Sequence, residues 1–187
     1  MSKLIVFNNV SLDGYFSGPG GDLNWAHQGA DDPEFAAFTA GNAGGEGMLV
    51  LGRVTYDMMV SYWPTPAARE QNPEVAEGMN ALPKLVFSRS LTKSDWNNTT
   101  VVKGDPGAEL KQRKAAGVNM TILGSGSLVS QLAPSGIIDE YQMVLNPVVL
   151  GSGRTMFEGV PKQLCLSPTQ VRQFRNGKVL LYYSAPS

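Results

Sequence analysis

Two segments share a layout of apolar strand, glycine turn and helix, and both carry groups suited to phosphate. The first is Met48-Leu49-Val50-Leu51-Gly52-Arg53-Val54-Thr55-Tyr56, and the second is Thr121-Ile122-Leu123-Gly124-Ser125-Gly126-Ser127-Leu128. A helix that starts at a strand's carboxyl end aims free N–H groups and the positive end of its dipole at one spot. Glycine there lets backbone and ligand approach closely, and Arg53 and Thr55 add a charge and a hydroxyl donor. Two such turns on adjacent strands suit a dinucleotide. The plainer alternative is a pair of tight strand-to-helix turns with no ligand. Gly124-Ser125-Gly126-Ser127-Leu128-Val129 reads G-x-G-x-x-V, without the third glycine or alanine of the dinucleotide fingerprint, and no acid is well placed for a ribose.

Composition removes several other chemistries. The 187 residues include one cysteine, Cys165, and one histidine, His27. They can form no internal disulfide and cannot complete a usual structural zinc site, so no metal centre is expected. A Ser-His-Asp hydrolase would need His27 itself as its base, and a lone loop histidine is more often solvated. Fifteen Lys+Arg against sixteen Asp+Glu leave a net charge of -1, which gives no electrostatic reason for a nucleic-acid partner or a polybasic membrane anchor. The difficult chemistry is therefore expected from a bound cofactor acting on a small molecule. Near the N-terminus, Leu4-Ile5-Val6-Phe7 is interrupted by Asn8 and Asn9, too soon for a signal peptide or a membrane span. A cytoplasmic setting follows as the expectation, with Cys165 reduced and used for packing.

The elements that must position these groups are legible as short apolar runs between helical patterns. Strands are predicted over Leu4 to Val10, Met48 to Leu51, Lys84 to Ser88, Thr99 to Val102, Asn119 to Leu123, Ile138 to Leu145, around Gln170 to Phe174, and Val179 to Ser184. Asp32-Pro33-Glu34 and Asp105-Pro106-Gly107-Ala108-Glu109 each place an N-cap, a first-turn proline and an acid ahead of a helix. Tyr56, Met59, Val60 and Trp63 lie on one helical face, and Pro64 ends that helix. Gly126 to Leu132 starts another short one. The alternation implies one α/β domain over residues 1–187, with a mostly parallel central sheet, helices on both faces and an antiparallel C-terminal end.

Set in this order, the motifs resemble a known family. Leu51-Gly52-Arg53-Val54-Thr55-Tyr56 is similar to the G-R-x-T-[WY] motif of the dihydrofolate reductase fold. Lys84-Leu85-Val86-Phe87-Ser88-Arg89-Ser90-Leu91 resembles its following strand and Ser-Arg turn, and Ile122 to Leu128 the glycine pair before the last cofactor helix. Ser11-Leu12-Asp13-Gly14-Tyr15, Ile138-Asp139-Glu140-Tyr141 and Asn146-Pro147-Val148-Val149-Leu150-Gly151-Ser152-Gly153 with Phe157 point to the riboflavin-biosynthesis reductase branch. The resemblance covers nearly the whole chain. It implies NADPH, with Gly52, Arg53 and Thr55 at the phosphates, Ser88 and Arg89 at the adenosine 2′-phosphate, and Gly124, Ser125, Gly126, Ser127 and Leu128 at the pyrophosphate. It also implies a homodimer. The bifunctional riboflavin enzyme carries a zinc deaminase domain before this one, and this chain has too few His and Cys to form one.

The substrate side leaves alternatives open. Asp13 sits where an acid can face the nicotinamide pocket, or it is the first half of an Asp-Gly turn. Glu34 is the family-like carboxylate of the first helix, or a first-turn acid. Asp32 is its rival, or an N-cap. Trp25 resembles the aromatic residue of the pocket-covering loop, or it anchors that loop. The expected activity is an NADPH-dependent reductase resembling 5-amino-6-(5-phosphoribosylamino)uracil reductase, with Asp13 and Glu34 as candidate acids. The alternatives are a dihydrofolate or pterin reductase, and a non-catalytic nucleotide-binding module.

Overall fold

In the computed structural model, which describes residues 2–29 and 31–185, Leu4–Ser11 forms the strand (β1) around which the sheet is laid. Leu4 and Val6 point to one face and Phe7 to the other, because successive side chains alternate across a strand. Short Tyr15–Ser17 (β2) follows, then helix Pro33–Ala43 (α1), Met48–Gly52 (β3) and Arg53–Tyr62 (α2). Helices Pro66–Gln71 (α3) and Pro73–Ala81 (α4) lead to Lys84–Phe87 (β4) and Thr99–Val102 (β5). Helix Pro106–Ala115 (α5), Met120–Leu123 (β6) and helix Gly126–Leu132 (α6) come next. The chain closes with Glu140–Asn146 (β7), Arg154–Thr155 (β8), Ser167–Gln173 (β9) and Val179–Ser184 (β10).

Eight strands form one sheet in the order β5-β4-β3-β6-β1-β7-β10-β9. All pairs from β5 to β7 are parallel, and β10 is antiparallel to both its neighbours. The predicted α/β class and antiparallel end are thus observed. One face packs Val50, Leu85 and Ile122 against Leu110 of α5 and Leu128, Val129 and Leu132 of α6. The other packs Leu49, Leu51 and Val86 against Ala43 of α1, Tyr56 of α2 and Met79 of α4. Each such side chain contributes about 1.5–3 kcal/mol when fully buried.

No element was expected over residues 66–81, where Pro66 and Pro73 lie. Both stand in the first helical turn, where proline's missing N–H has no intrahelical partner to lose. The strand expected around Gln170 begins three residues sooner, at Ser167, because pairing with β10 extends to Ser167↔Ser184. The small β2–β8 ladder, Tyr15↔Thr155 and Ser17↔Arg154, has no strong local pattern.

Gly78 sets the approach of α4 to α1, since a Cβ there would overlap the Ala43 carbonyl. Gly78→Ala is expected to lower unfolding free energy by about 1–3 kcal/mol through overpacking, read as a lower urea midpoint.

Candidate active site

The neighbouring strands β3 and β6 send their chains in opposite directions, α2 to one face and α6 to the other. A crevice opens at the carboxyl ends of such a pair, where open α/β sheets place ligands. Asp32, Thr65 and Asp105 cap α1, α3 and α5 through their side chains. Neither α2 nor α6 has a side-chain cap, so both bring uncapped N-termini to the crevice. Helix α4, which shares Asn72 with the end of α3, also lacks a side-chain cap.

Buried hydroxyls tie the two turns together. Gly52 N–H donates to Ser125 Oγ at 2.7 Å, and Ser125 N–H donates to Thr55 Oγ1 at 3.0 Å. Ser125 Oγ lies 3.0 Å from Thr55 Oγ1 and donates to Leu123 O at 2.9 Å, and both residues are buried. Ser125 adopts φ 55°, ψ 50°, a left-handed conformation that costs a non-glycine residue about 1–2 kcal/mol. These bonds hold it there. Gly124 also has positive φ, and a Cβ on it would come within 2.9 Å of Thr55 Oγ1. A Cβ on Gly126 would come within 2.7 Å of Phe16 Cζ. Contacts within the protein therefore already require both glycines. In the first turn of α6, Leu128 N–H is spent on Ser125 O and its side chain on the core. The Gly126 and Ser127 N–H groups have no acceptor among the described residues; Gly126 is buried and Ser127 is exposed.

Positive charge gathers at the α2 side. Arg53 Nε is held by Asp57 at 2.7 Å, one turn on, and Nη1 reaches Ser90 Oγ at 3.3 Å. That places the guanidinium against the Ser88–Leu91 turn after β4. Ser88 Oγ accepts from Leu91 N–H at 3.0 Å, so it stabilises the turn itself. Arg89 is exposed beside it. Asp57 and Ser90 were not singled out in the sequence. The spacing from Arg53 to Asp57 was a readable i,i+4 signal, whereas Ser90 lies 37 residues from Arg53.

The candidate acids are engaged elsewhere. Asp13 accepts from Ser11 Oγ at 2.7 Å, Gly151 N–H at 2.7 Å and Leu150 N–H at 3.1 Å. The Ser11 hydroxyl, then the two backbone N–H groups, hold its carboxyl down to about 2. Asp13 is thus ionised at neutral pH and clamps the loop after β7 to the end of β1. Glu34 pairs with Arg172 of β9 at 2.8 Å on the exposed outer side of α1. Asp32 caps α1 through Phe35 N–H at 2.9 Å and accepts from Asn176 N–H at 3.0 Å. Trp25 is buried, with Nε1 donating to Asp22 O at 3.1 Å, and anchors its own turn.

Beyond these, β1 outruns β6. Its pairing with β6 stops at Phe7↔Leu123, but pairing with β7 continues to Ser11↔Asn146. Asn8 closes part of that gap by donating to Gly124 O at 3.1 Å. Among the described residues no group of three or more His, Cys, Asp or Glu could hold a metal ion, and no helix is long and apolar enough to cross a membrane.

This arrangement defines a dihydrofolate reductase-like α/β domain with its crevice at the carboxyl edge. The chain belongs to the RibD C-terminal domain family, whose model matches residues 2–180, a family of reductase domains of riboflavin biosynthesis. A Shewanella sp. PV-4 protein assigned to riboflavin biosynthesis has a similar structure, with TM-score 0.75 and 24% identity over 99% of each chain. The deaminase/5-amino-6-(5-phosphoribosylamino)uracil reductase of Thermotoga maritima gives TM-score 0.64 at 13% identity, covering 99% of this chain and 57% of that one. The uncharacterised protein YyaP of Bacillus subtilis is 27% identical over 183 residues, 97% of this chain and 94% of its own length.

Thr55→Val keeps the side-chain shape and leaves the buried Ser125 N–H without its acceptor. It is expected to cost about 1–3 kcal/mol of stability, measured by chemical denaturation; Ser127→Ala, on the exposed side of the same turn, is expected to change it by less than about 0.5 kcal/mol.

Proposed function

We propose that this protein is an NADPH-dependent reductase acting on a ribosylamino-pyrimidine of the 5-amino-6-(5-phosphoribosylamino)uracil type. The observation that carries the reading is the pair of uncapped helix N-termini bolted together at the β3–β6 crevice, with Arg53, Ser90 and Arg89 beside one of them. The donor set fits a dinucleotide phosphate: N–H groups without an internal acceptor at Gly126 and Ser127, and two guanidinium groups at the end where a 2′-phosphate would favour NADPH over NADH. When bound, the nicotinamide would supply hydride from C4 to the sugar C1, and the ring-opened sugar would become a ribityl chain. The chain's own part is to fix the phosphates at the two turns and to hold the pocket around the end of β1. Asp13 serves there as an ionised clamp on the 147–153 loop. Glu34 would reach a substrate only on leaving Arg172. Pairing of two copies and a cytoplasmic setting belong to the same reading.

Fluorescence titration with NADPH tests it. Arg53→Ala is expected to weaken binding about tenfold, the loss of one charge-assisted contact, and unchanged affinity would remove Arg53 from the phosphate site. Absence of wild-type binding at millimolar NADPH would sink the proposal. Binding without oxidation on any ribosylamino-pyrimidine, dihydropterin or simple carbonyl compound would instead mark a nucleotide-binding module.

A further inference from the structure

Lys178 is a buried cation with no acid paired to it among the described residues. Only 1% of it is exposed, and its ammonium donates to two neutral oxygens, Ala26 O and Asn146 Oδ1, each at 2.6 Å. The ring of Phe35 lies 4.8 Å away. Burial pushes its pKa down to about 8. Four elements meet at this group: the turn carrying Trp25, α1, the end of β7 and, through Asn146, the end of β1.

An ammonium can only donate, so Asn146 must turn its carbonyl oxygen toward Lys178. Its amide nitrogen must then point the other way, where it meets Val144 O at 2.9 Å, Asn9 Oδ1 at 3.1 Å and Val10 O at 3.3 Å. Because that nitrogen can only donate, Asn9 meets it with its oxygen. With Oδ1 occupied, the half-buried Asn9 amide presents its Nδ2 hydrogens, which have no partner among the described residues. Asn9 lies on the part of β1 that extends past β6, on the face shared with Phe7 and α1.

We infer that Asn9 is a substrate-recognising donor, oriented by Lys178 through Asn146, and that it selects a ring carbonyl of the heterocycle. The inference rests on the reductase reading above. Asn9 is a binding residue; Lys178 and Asn146 are positioning residues that act through it.

The test is calorimetric binding of 5-amino-6-(5-phosphoribosylamino)uracil to NADP⁺-saturated protein, beside NADPH titrations of every variant. Asn9→Leu removes the donor and leaves Asn146 its bond to Val144 O. It is expected to weaken probe binding about tenfold, the scale of one lost polar contact, with NADPH affinity unchanged. Asn146→Asp keeps the acceptor for Lys178 and deletes the donor to Asn9; Lys178→Met deletes the ammonium and keeps the packing on Phe35. Each is expected to weaken the probe several-fold alone and to add nothing in the Asn9→Leu background, because coupled residues are non-additive. A general structural role would instead weaken the probe in both backgrounds. Full probe affinity in Asn9→Leu, additive effects, or a wild type that binds NADPH but not the probe would each overturn the inference. A wild type that binds no NADPH overturns the reductase reading, and this inference with it.

Discussion

The short path of hydroxyls from Gly52 through Ser125 to Thr55 decides the geometry at the carboxyl edge. The helices α2 and α6 leave adjacent strands for opposite faces of the sheet, and nothing in the strands themselves fixes how far apart their first turns stand. Ser125 does so by accepting from one turn's backbone while its own backbone donates to Thr55 of the other helix. The cost is a serine in a left-handed conformation, offset by its bonds to Gly52 and Thr55, which are buried. Phe16 and Thr55 fill the space that side chains at positions 126 and 124 would need, so the two turns are close-packed before any ligand arrives. Preorganised N–H groups at two helix starts are the result.

Around this frame the acids are spent on architecture. Asp13 holds the loop after β7, Asp32 holds both α1 and the Asn176 turn, and Glu34 joins α1 to the edge strand β9. The strongly lowered pKa of Asp13 has the same cause as its clamp, since every donor that fixes the loop also favours the carboxylate. Behind α1, Lys178, Asn146 and Asn9 form a chain of hydrogen bonds. The ammonium can only donate, and that fixes the direction of the Asn146 amide.

Much of the fold was legible because its signals are local. Consecutive apolar residues marked buried parallel strands, and Asp-Pro pairs marked the starts of α1 and α5. The glycine turns and Arg53 could be found by type and spacing. The helices α3 and α4 were not: they are six and nine residues long, and α4 lacks the side-chain cap that marks α1 and α5. The roles of Thr55, Ser88 and Leu128 were also out of reach, because each depends on whether a hydroxyl or N–H is already occupied.

By itself, then, the sequence determined the class of chemistry and the family: one cysteine and one histidine left little room for metal or nucleophilic catalysis, and the ordered motifs pointed to the reductase domains. Only the tertiary structure decided which polar groups remain available. Thr55 and Ser125 are 70 residues apart, and Asn9 and Asn146 are 137 apart. A hydrogen bond at such separation leaves no periodicity in the chain, and it settles whether a side chain faces a ligand or another part of the protein.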